Sequence, residues 1–287
     1  MEKQIVEQMR KRIVELKETR NDLVDALDLY SKIIEIGAQV DPSEIGEPLA
    51  APAEAAKGPY PFFDLATAKI NWTAAAPAFK KMCALFCEEG QTEPDVEKAK
   101  NADAKEAGEM LATAFARFVF MDRQVTPENP DAASAQLAFV AFLTMRNYIG
   151  RLVGEGRKLL DNQEGVYEAT CPLCGGKPLM SKLVKEEGFR HLVCGICESD
   201  WLFTRLKCSN CGNTDHKTVG LIVPENIEDP YSVFTCDECK HYLKIIDTRK
   251  YKHHVDSLFE AIATAHWDYI AQNRGFKSSA TWVGMTT

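Results

Sequence analysis

Four short runs decide how this chain is read: Cys171-Pro172-Leu173-Cys174, Cys194-Gly195-Ile196-Cys197, Cys208-Ser209-Asn210-Cys211 and Cys236-Asp237-Glu238-Cys239. They hold eight of the 10 cysteines between Cys171 and Cys239, and every one is a Cys-x-x-Cys pair. Such a turn places two sulfurs on one side of a tight loop, at the separation that two ligands of one tetrahedral ion need. Two turns facing each other complete a set of four. Gly175 and Gly212 follow the second cysteine of their pairs, where the turn calls for positive φ. The stretches from Cys174 to Cys194 and from Cys211 to Cys236 are each long enough for a hairpin that brings the second turn back to the first. The stretch from Cys197 to Cys208 is much shorter and is mostly the apolar run 201–206. The simplest topology is two consecutive rubredoxin or zinc-ribbon modules joined by that run as a strand. Site one is Cys171, Cys174, Cys194 and Cys197; site two is Cys208, Cys211, Cys236 and Cys239. An interleaved pairing is the alternative.

Two metal ions per chain are therefore expected. All-sulfur ligation suits zinc, and equally iron of the rubredoxin kind. An iron–sulfur cluster is the less favoured alternative, since its ligands usually come in a different rhythm, and a dithiol oxidoreductase needs a Cys-x-x-Cys opening a helix in a βαβ setting, which is absent. Cys83 and Cys87 stand apart, four residues from each other on an expected helix beside Met82, Leu85 and Phe86, and read as core residues. The histidines, His191, His216, His241, His253, His254 and His266, are not needed as ligands when eight thiolates are available.

Outward from the cysteines the pattern is helical. Ile5, Met9, Ile13 and Leu16, then Leu23, Leu27, Tyr30 and Ile34, predict a helical hairpin over 1–38. Thr19 and Asp22 resemble a capping box, and Gly37 a stop. Residues 39–61 hold 5 of the 13 prolines and read as a loop or linker. From about 64 to 163, three apolar stripes predict a bundle. They comprise Phe79 to Phe86 with Pro77 at a first helical position, Met110 to Val119, and Leu137 to Leu152, the last two separated by Asn129-Pro130. Short strands are expected at 190–193, 201–206 and 242–246. One closing helix is expected from about 251 to 273, its face carrying Val255, Leu258, Phe259, Ile262, His266, Tyr269 and Ile270, ended by Gly275. The expected architecture is thus an α-helical bundle over 1–164, metal modules with a little β-structure over 165–207 and 208–250, and a closing helix and tail over 251–287.

The chain has 287 residues and a formal net charge of −8. Residues 171–249 hold 10 Lys/Arg and 11 Asp/Glu, and each dication bound by four thiolates adds about −2. That surface repels polyanions, so a zinc-ribbon nucleic-acid binder is the weakest of the readings. No run reaches the roughly 20 apolar residues of a membrane helix. The first eight residues carry acids and no apolar core, so they do not read as a secretory signal, and the cytoplasm is expected. No phosphate-binding loop, GxGxxG, GxSxG or HExxH appears, and no enzymatic activity is expected.

The run from Cys171 onward resembles the FdhE family of formate dehydrogenase accessory proteins. The likeness is carried by Cys171-Pro172-Leu173-Cys174-Gly175, by 188–201 with its Cys194-Gly195-Ile196-Cys197 and Trp201, and by Arg205-Leu206-Lys207-Cys208-Ser209-Asn210-Cys211-Gly212. It continues through Cys236-Asp237-Glu238-Cys239, Tyr242-Leu243-Lys244-Ile245, Ala263, Asp268 and Gly275-Phe276. The resemblance thus covers the chain from Cys171 to its closing segment, and the helices before it fit by general character alone. Its departure is the tail, where Ala280-Thr281-Trp282 stands in place of a Ser-rich Asn-Pro-Phe ending. The resemblance implies a cytoplasmic, non-catalytic helper that binds the catalytic subunit of a respiratory formate dehydrogenase before its twin-arginine export and resembles rubredoxin-type iron binders. A redox protein whose metal carries electrons is the alternative. Trp201, Phe203 and Arg205, on one face of the expected strand, are either client contacts or core.

Overall fold

The computed structural model describes residues 3–47, 60–65, 68–90, 92–122, 133–161 and 168–279. The chain divides into two compact units, 1–51 with 63–155, and 52–62 with 156–284.

The first unit is helical. α1 (Lys3–Thr19) and α2 (Val24–Gly37) form the expected hairpin, joined by a 3₁₀ turn at Asn21–Leu23. Met9, Ile13, Leu16, Leu27, Tyr30 and Ile34 are all buried, as a 3.6-residue period requires. The expected capping box does not form. The Thr19 hydroxyl folds back onto the Glu15 and Leu16 carbonyls, and Asp22 pairs with Arg20 instead. Gly37 is the last residue of α2 and carries no left-handed turn; the Ala38 N–H closes the helix on the Ile34 carbonyl. A short α3 (Pro42–Ile45), capped by the Asp41 carboxylate, lies within the expected loop.

α4 (Trp72–Glu89) starts five residues earlier than Pro77 suggests. Asn71 caps it by accepting from the Ala74 N–H, so Pro77 lies inside the helix. Nearby, Gly108 of α6 (Ala104–Asp122) brings two backbones together: a Cβ there would stand 3.1 Å from the Thr73 nitrogen. α5 (Pro94–Asn101) intervenes between them. α7 (Ala135–Leu152), capped by Ser134, is buried on nearly every side and forms the centre of the unit. Its Phe142 stacks on Phe118 with ring centroids 4.2 Å apart, and its Arg146 donates to the Tyr30 hydroxyl at 3.1 Å. Asn129-Pro130 lies outside the described residues. Among those residues no helix is long and apolar enough to cross a membrane.

The second unit is built on one sheet. After α8 (Gly154–Asp161) come β1 (Pro178–Val184), β2 (Phe189–Cys194), β3 (Asp200–Leu202), β4 (Val219–Ile222), β5 (Tyr231–Cys236), β6 (His241–Asp247) and the two-residue β7 (Lys277–Ser278). Their order is β3-β2-β1-β6-β5-β4, with β7 beside β6. Each half is an antiparallel meander, and the halves meet through the parallel pair β1/β6, with Met180 opposite Lys244. This corrects the expected link between the modules. The run 201–206 is not a bridging strand: β3 ends at Leu202 on the outer edge and the chain then turns toward Cys208.

The closing helix is also two helices. α9 (Ser257–Ala263) and α10 (Ala265–Asn273) are separated at Thr264, whose φ of −111° and ψ of 24° leave the helical region. The break rotates the apolar face. Trp267 and Ala271 are buried with Val233 and Tyr242, whereas His266 is exposed and Tyr269 is 68 % exposed. Gly275, at φ 84°, ends α10 as expected, and the Phe276 N–H returns to the Ala271 carbonyl.

Candidate metal centres

The four Cys-x-x-Cys turns share one local geometry. The cysteine that opens each of the turns at Cys171 and Cys208 donates its N–H to the residue five positions on, Gly176 and Asn213, at 2.8 Å in both. The residue after the second cysteine has positive φ in all four: Gly175 at 74°, Glu198 at 58°, Gly212 at 77° and Lys240 at 56°. The two glycines are visible in the sequence; the two non-glycines are not, because a side chain usually avoids that region. Glu198 is held there by its carboxylate, which accepts from the Ser257 N–H at 3.3 Å and hydroxyl at 2.8 Å. The Lys240 carbonyl accepts from the Lys277 N–H at 2.7 Å. Gly176 is a further residue the spacing does not reveal: a Cβ there would stand 3.0 Å from Cys194 Sγ.

The sheet brings the pairs together in consecutive order. Cys171, Cys174, Cys194 and Cys197 form one cluster, and Cys208, Cys211, Cys236 and Cys239 another, each with its sulfurs within 4.8 Å of one another. The crossing contacts are Cys171–Cys197 at 3.6 Å and Cys174–Cys194 at 3.4 Å, then Cys208–Cys239 and Cys211–Cys236, both at 3.7 Å. A tetrahedral ion with metal–sulfur bonds of about 2.3 Å sets its sulfurs about 3.8 Å apart. The donor sets therefore fit a four-coordinate thiolate metal. The separations are far beyond a disulfide bond of about 2.05 Å, and none of the ten cysteines is in a disulfide.

Cluster one is wholly buried. Burial, reinforced by neighbouring sulfurs, pushes the Cys171 and Cys194 thiols well above their usual range. At Cys197 the burial is outweighed by hydrogen bonding with the other three cysteines and with Ser199, which draws the group well below it. The Ile196 and Cys197 N–H groups point at Cys194 Sγ, at 3.4 and 3.5 Å. Arg157 of α8 donates to the Cys197 carbonyl at 2.5 Å and to Ser199 Oγ at 2.9 Å, placing a cation beside the cluster. In cluster two Cys208 and Cys236 are buried, Cys239 is half-buried and Cys211 is exposed. Burial pushes the Cys208 thiol up to about 12. At Cys236 burial is overcome by the Cys239 N–H, the Asn213 amide and the Glu238 N–H, which bring it to about 7.

The remaining candidates stay outside both clusters. Cys83 is buried in α4 and burial raises it to about 12; Cys87 is half-buried on the same helix. His191 pairs with Asp200 at 2.7 Å, and His241 Nδ1 donates to the Cys239 carbonyl at 2.7 Å, but neither joins a set of sulfurs. Trp201 and Phe203, each 2 % exposed, are core, with Trp201 Nε1 donating to the Glu168 carbonyl at 2.8 Å. Arg205 is exposed on the turn beyond β3. The three do not form one strand face.

Comparison with known proteins gives consistent relatives. Residues 170–205 match the family model of the FdhE central domain, and residues 206–283 that of the FdhE C-terminal domain. A protein of Aquifex aeolicus named as an FdhE homologue is 38 % identical over 122 residues, 42 % of this chain and 42 % of that one. One of Pectobacterium atrosepticum is 28 % identical over 193 residues, 67 % of this chain and 58 % of that one. These alignments thus span between about two fifths and three fifths of the relatives' own length. The crystal structure of the FdhE protein from Pseudomonas aeruginosa superposes with a TM-score of 0.69 over 98 % of this chain and 95 % of that chain, at 17 % identity, and shares the fold. Both matched domains fall end to end on the sheet that carries the two cysteine clusters, so the cysteine-rich part of this chain, residues 170–283, is similar to the central and C-terminal domains of FdhE.

Proposed function

We propose that this protein is an accessory maturation factor for the catalytic subunit of a respiratory formate dehydrogenase. It acts in the cytoplasm before twin-arginine export, is not itself an enzyme, and carries two metal ions, each held by one cluster: Cys171, Cys174, Cys194 and Cys197, and Cys208, Cys211, Cys236 and Cys239. The observation that carries the metal reading is the sulfur spacing, which suits a tetrahedral dication twice over. The metal, when bound, takes the sulfurs as thiolates and cross-links the turns of each half. The chain's own groups do the rest: N–H groups aimed at Cys194 and Cys208 disperse the sulfur charge, and the positive-φ residues hold each turn open toward its partner. The client follows from the family resemblance of the cysteine-rich half.

The test is a two-protein binding assay under reducing conditions with metal content measured in parallel. The expected result is two metal ions per chain and direct binding to the catalytic subunit. Failure of the two-metal protein to bind that subunit, metal-loaded or apo, would overturn the chaperone reading. The exposure of Cys211 favours a second reading, in which iron at cluster two exchanges electrons with a partner. A red ferric tetrathiolate spectrum that bleaches and recovers with a redox partner would support it; colourless zinc protein would remove it.

A further inference from the structure

Among the described residues Arg190 is the most deeply buried arginine, 1 % exposed. It belongs to β2, in the half of the sheet that carries cluster one, yet its guanidinium points toward the other half. Nη1 donates to the Lys207 carbonyl at 2.9 Å and the Arg205 carbonyl at 3.3 Å, the backbone that leads into Cys208. Nε reaches Ser181 Oγ at 3.4 Å. The guanidinium carbon lies 4.4 Å from the centre of the Phe234 ring and 5.6 Å from that of Phe203. Phe234 in turn packs with Cys208 and Cys236 in one buried cluster. Nη2 is buried without a hydrogen-bond partner, and among the described residues no carboxylate pairs with Arg190.

A buried cation without an anion is one of the costliest arrangements in a protein interior. Carbonyls and rings offset part of that cost but supply no net negative charge. The guanidinium holds the Lys207 carbonyl, next in the chain to Cys208, and shares the Phe234 ring with Cys208 and Cys236, so the acidic groups on this side of it are the sulfurs of the second cluster. A neutral thiol there balances nothing, whereas four thiolates around a dication carry a net charge of about −2. We propose that Arg190 is the counter-charge of the metal centre formed by Cys208, Cys211, Cys236 and Cys239. It is a positioning residue, lent by the first half of the sheet, that balances thiolate charge in the second and holds the chain entering Cys208. Occupancy of the second centre then depends on a residue of the first module, which couples two sites that the sequence presents as independent.

The proposal rests on the two-metal reading above, and one experiment separates the two. The full-length protein is loaded with zinc and titrated with a chromophoric chelator; Cys211→Ser identifies which step of release belongs to the second centre. If wild type never holds two zinc ions, the metal reading itself fails. Given two ions, Arg190→Met is expected to weaken the second centre by about 10–100-fold, the range for residues that support metal ligands, and to leave the first within about 2-fold. Arg190→Lys, which keeps the charge, is expected to stay within about 5-fold of wild type at the second centre, well short of that range. Unchanged zinc affinity in Arg190→Met, or equal losses in the Met and Lys variants, overturns the counter-charge assignment. If Arg190→Met does not fold, Arg190→Lys decides: a loss of about 10-fold or more at the second centre, with the charge kept, overturns the assignment.

Discussion

The two cysteine clusters use the same turn, nearly the same sulfur spacing and the same sheet, and differ in access to water. Cluster one lies under α8 and the start of α9, with Arg157 and Glu198 stitching the surrounding backbone and all four sulfurs buried. Cluster two stands at the end of the β5/β6 hairpin with Cys211 exposed. The halves are also braced differently. In the first, Lys182, His191 and Asp200 join β1, β2 and β3 to one another. In the second, Lys244 and Tyr242 reach out to Asp268 of α10, and Tyr231 and Tyr251 to Glu260 of α9. One centre is therefore built as core, the other as surface held from behind. Burial rather than ligand chemistry is what distinguishes them.

The largest consequence should appear when each cluster loses one sulfur. Cys194→Ser leaves three buried cysteines and two N–H groups without the sulfur they point to. Cys211→Ser removes an exposed sulfur. Structural zinc contributes about 10–16 kcal/mol in isolated fingers, so either variant should lose one ion and part of that stabilisation. The buried variant should fall further, by about 10 °C or more in thermal midpoint beyond the exposed one, because incomplete ligation there cannot be relieved by water. Calorimetry with elemental analysis checks both. Equal drops would mean that burial does not set the division of labour.

Release kinetics sharpen the same contrast. With excess chelator, one zinc equivalent should leave at least about 10-fold faster than the other, following access to the exposed cysteine, an effect of the size seen when the surroundings of a metal site change. Cys211→Ser should abolish the fast phase. A single phase in wild type would break the comparison.

The brace within the first half gives a smaller effect. Asp200 is held below the usual carboxylate range: burial would raise it, but hydrogen bonding to His191 and the charge of Lys182 prevail. A depressed carboxylate stabilises fully above its unfolded pKa of about 3.9 and loses that contribution as pH falls through the lower folded value. Asp200→Asn should therefore cost about 1–2 kcal/mol, the scale of a hydrogen-bonded charge. The gap should persist from about pH 8 to about pH 5, where the carboxylate remains ionised. Denaturant unfolding of zinc-loaded wild type and variant measures it; a gap that closes within that window contradicts the assignment.

The legible and illegible parts of this chain divide on physical lines. The eight cysteines, their consecutive grouping and the helical hairpin follow from spacing and period, because ligand geometry and helix pitch act over short stretches. Arg190 is invisible in the sequence, since nothing local marks a cation destined for the interior. The break at Thr264 is hidden because Leu258, Ile262 and Tyr269 continue the helical period straight across it. Pro77 misplaced a helix start because Asn71, six residues earlier, had the stronger capping chemistry. The β1/β6 pairing lies between strands far apart in the chain, Met180 against Lys244, and no turn signal announces a contact of that range.

The finest contrast lies in the two non-glycine residues that close the second turn of each cluster. Glu198 and Lys240 both sit in the left-handed region, which costs a residue with a side chain about 1–2 kcal/mol relative to glycine. Their side chains offset that cost unequally. Glu198 accepts two hydrogen bonds from Ser257, at 2.8 and 3.3 Å, and so ties the first cluster to the start of α9. Lys240 makes an exposed pair with Asp237 and lies 5.6 Å from the centre of the Phe276 ring. Exposed pairs contribute about 0–1 kcal/mol, and the Lys240 bond to Lys277 is made by its backbone, which glycine retains. Lys240→Gly is therefore expected to leave the zinc-loaded protein unchanged or raise its thermal midpoint by about 2–4 °C, as about 1 kcal/mol does in a domain of this size. Glu198→Gly relieves the same strain but strips two hydrogen bonds to a carboxylate, together stronger than the strain removed, and should lower the midpoint by a similar amount. Opposite signs at two positions of identical backbone geometry would show that the buried turn is anchored by its side chain and the exposed one by its backbone alone. Equal shifts of either sign would assign both turns to backbone conformation and remove the distinction between the two halves at this level.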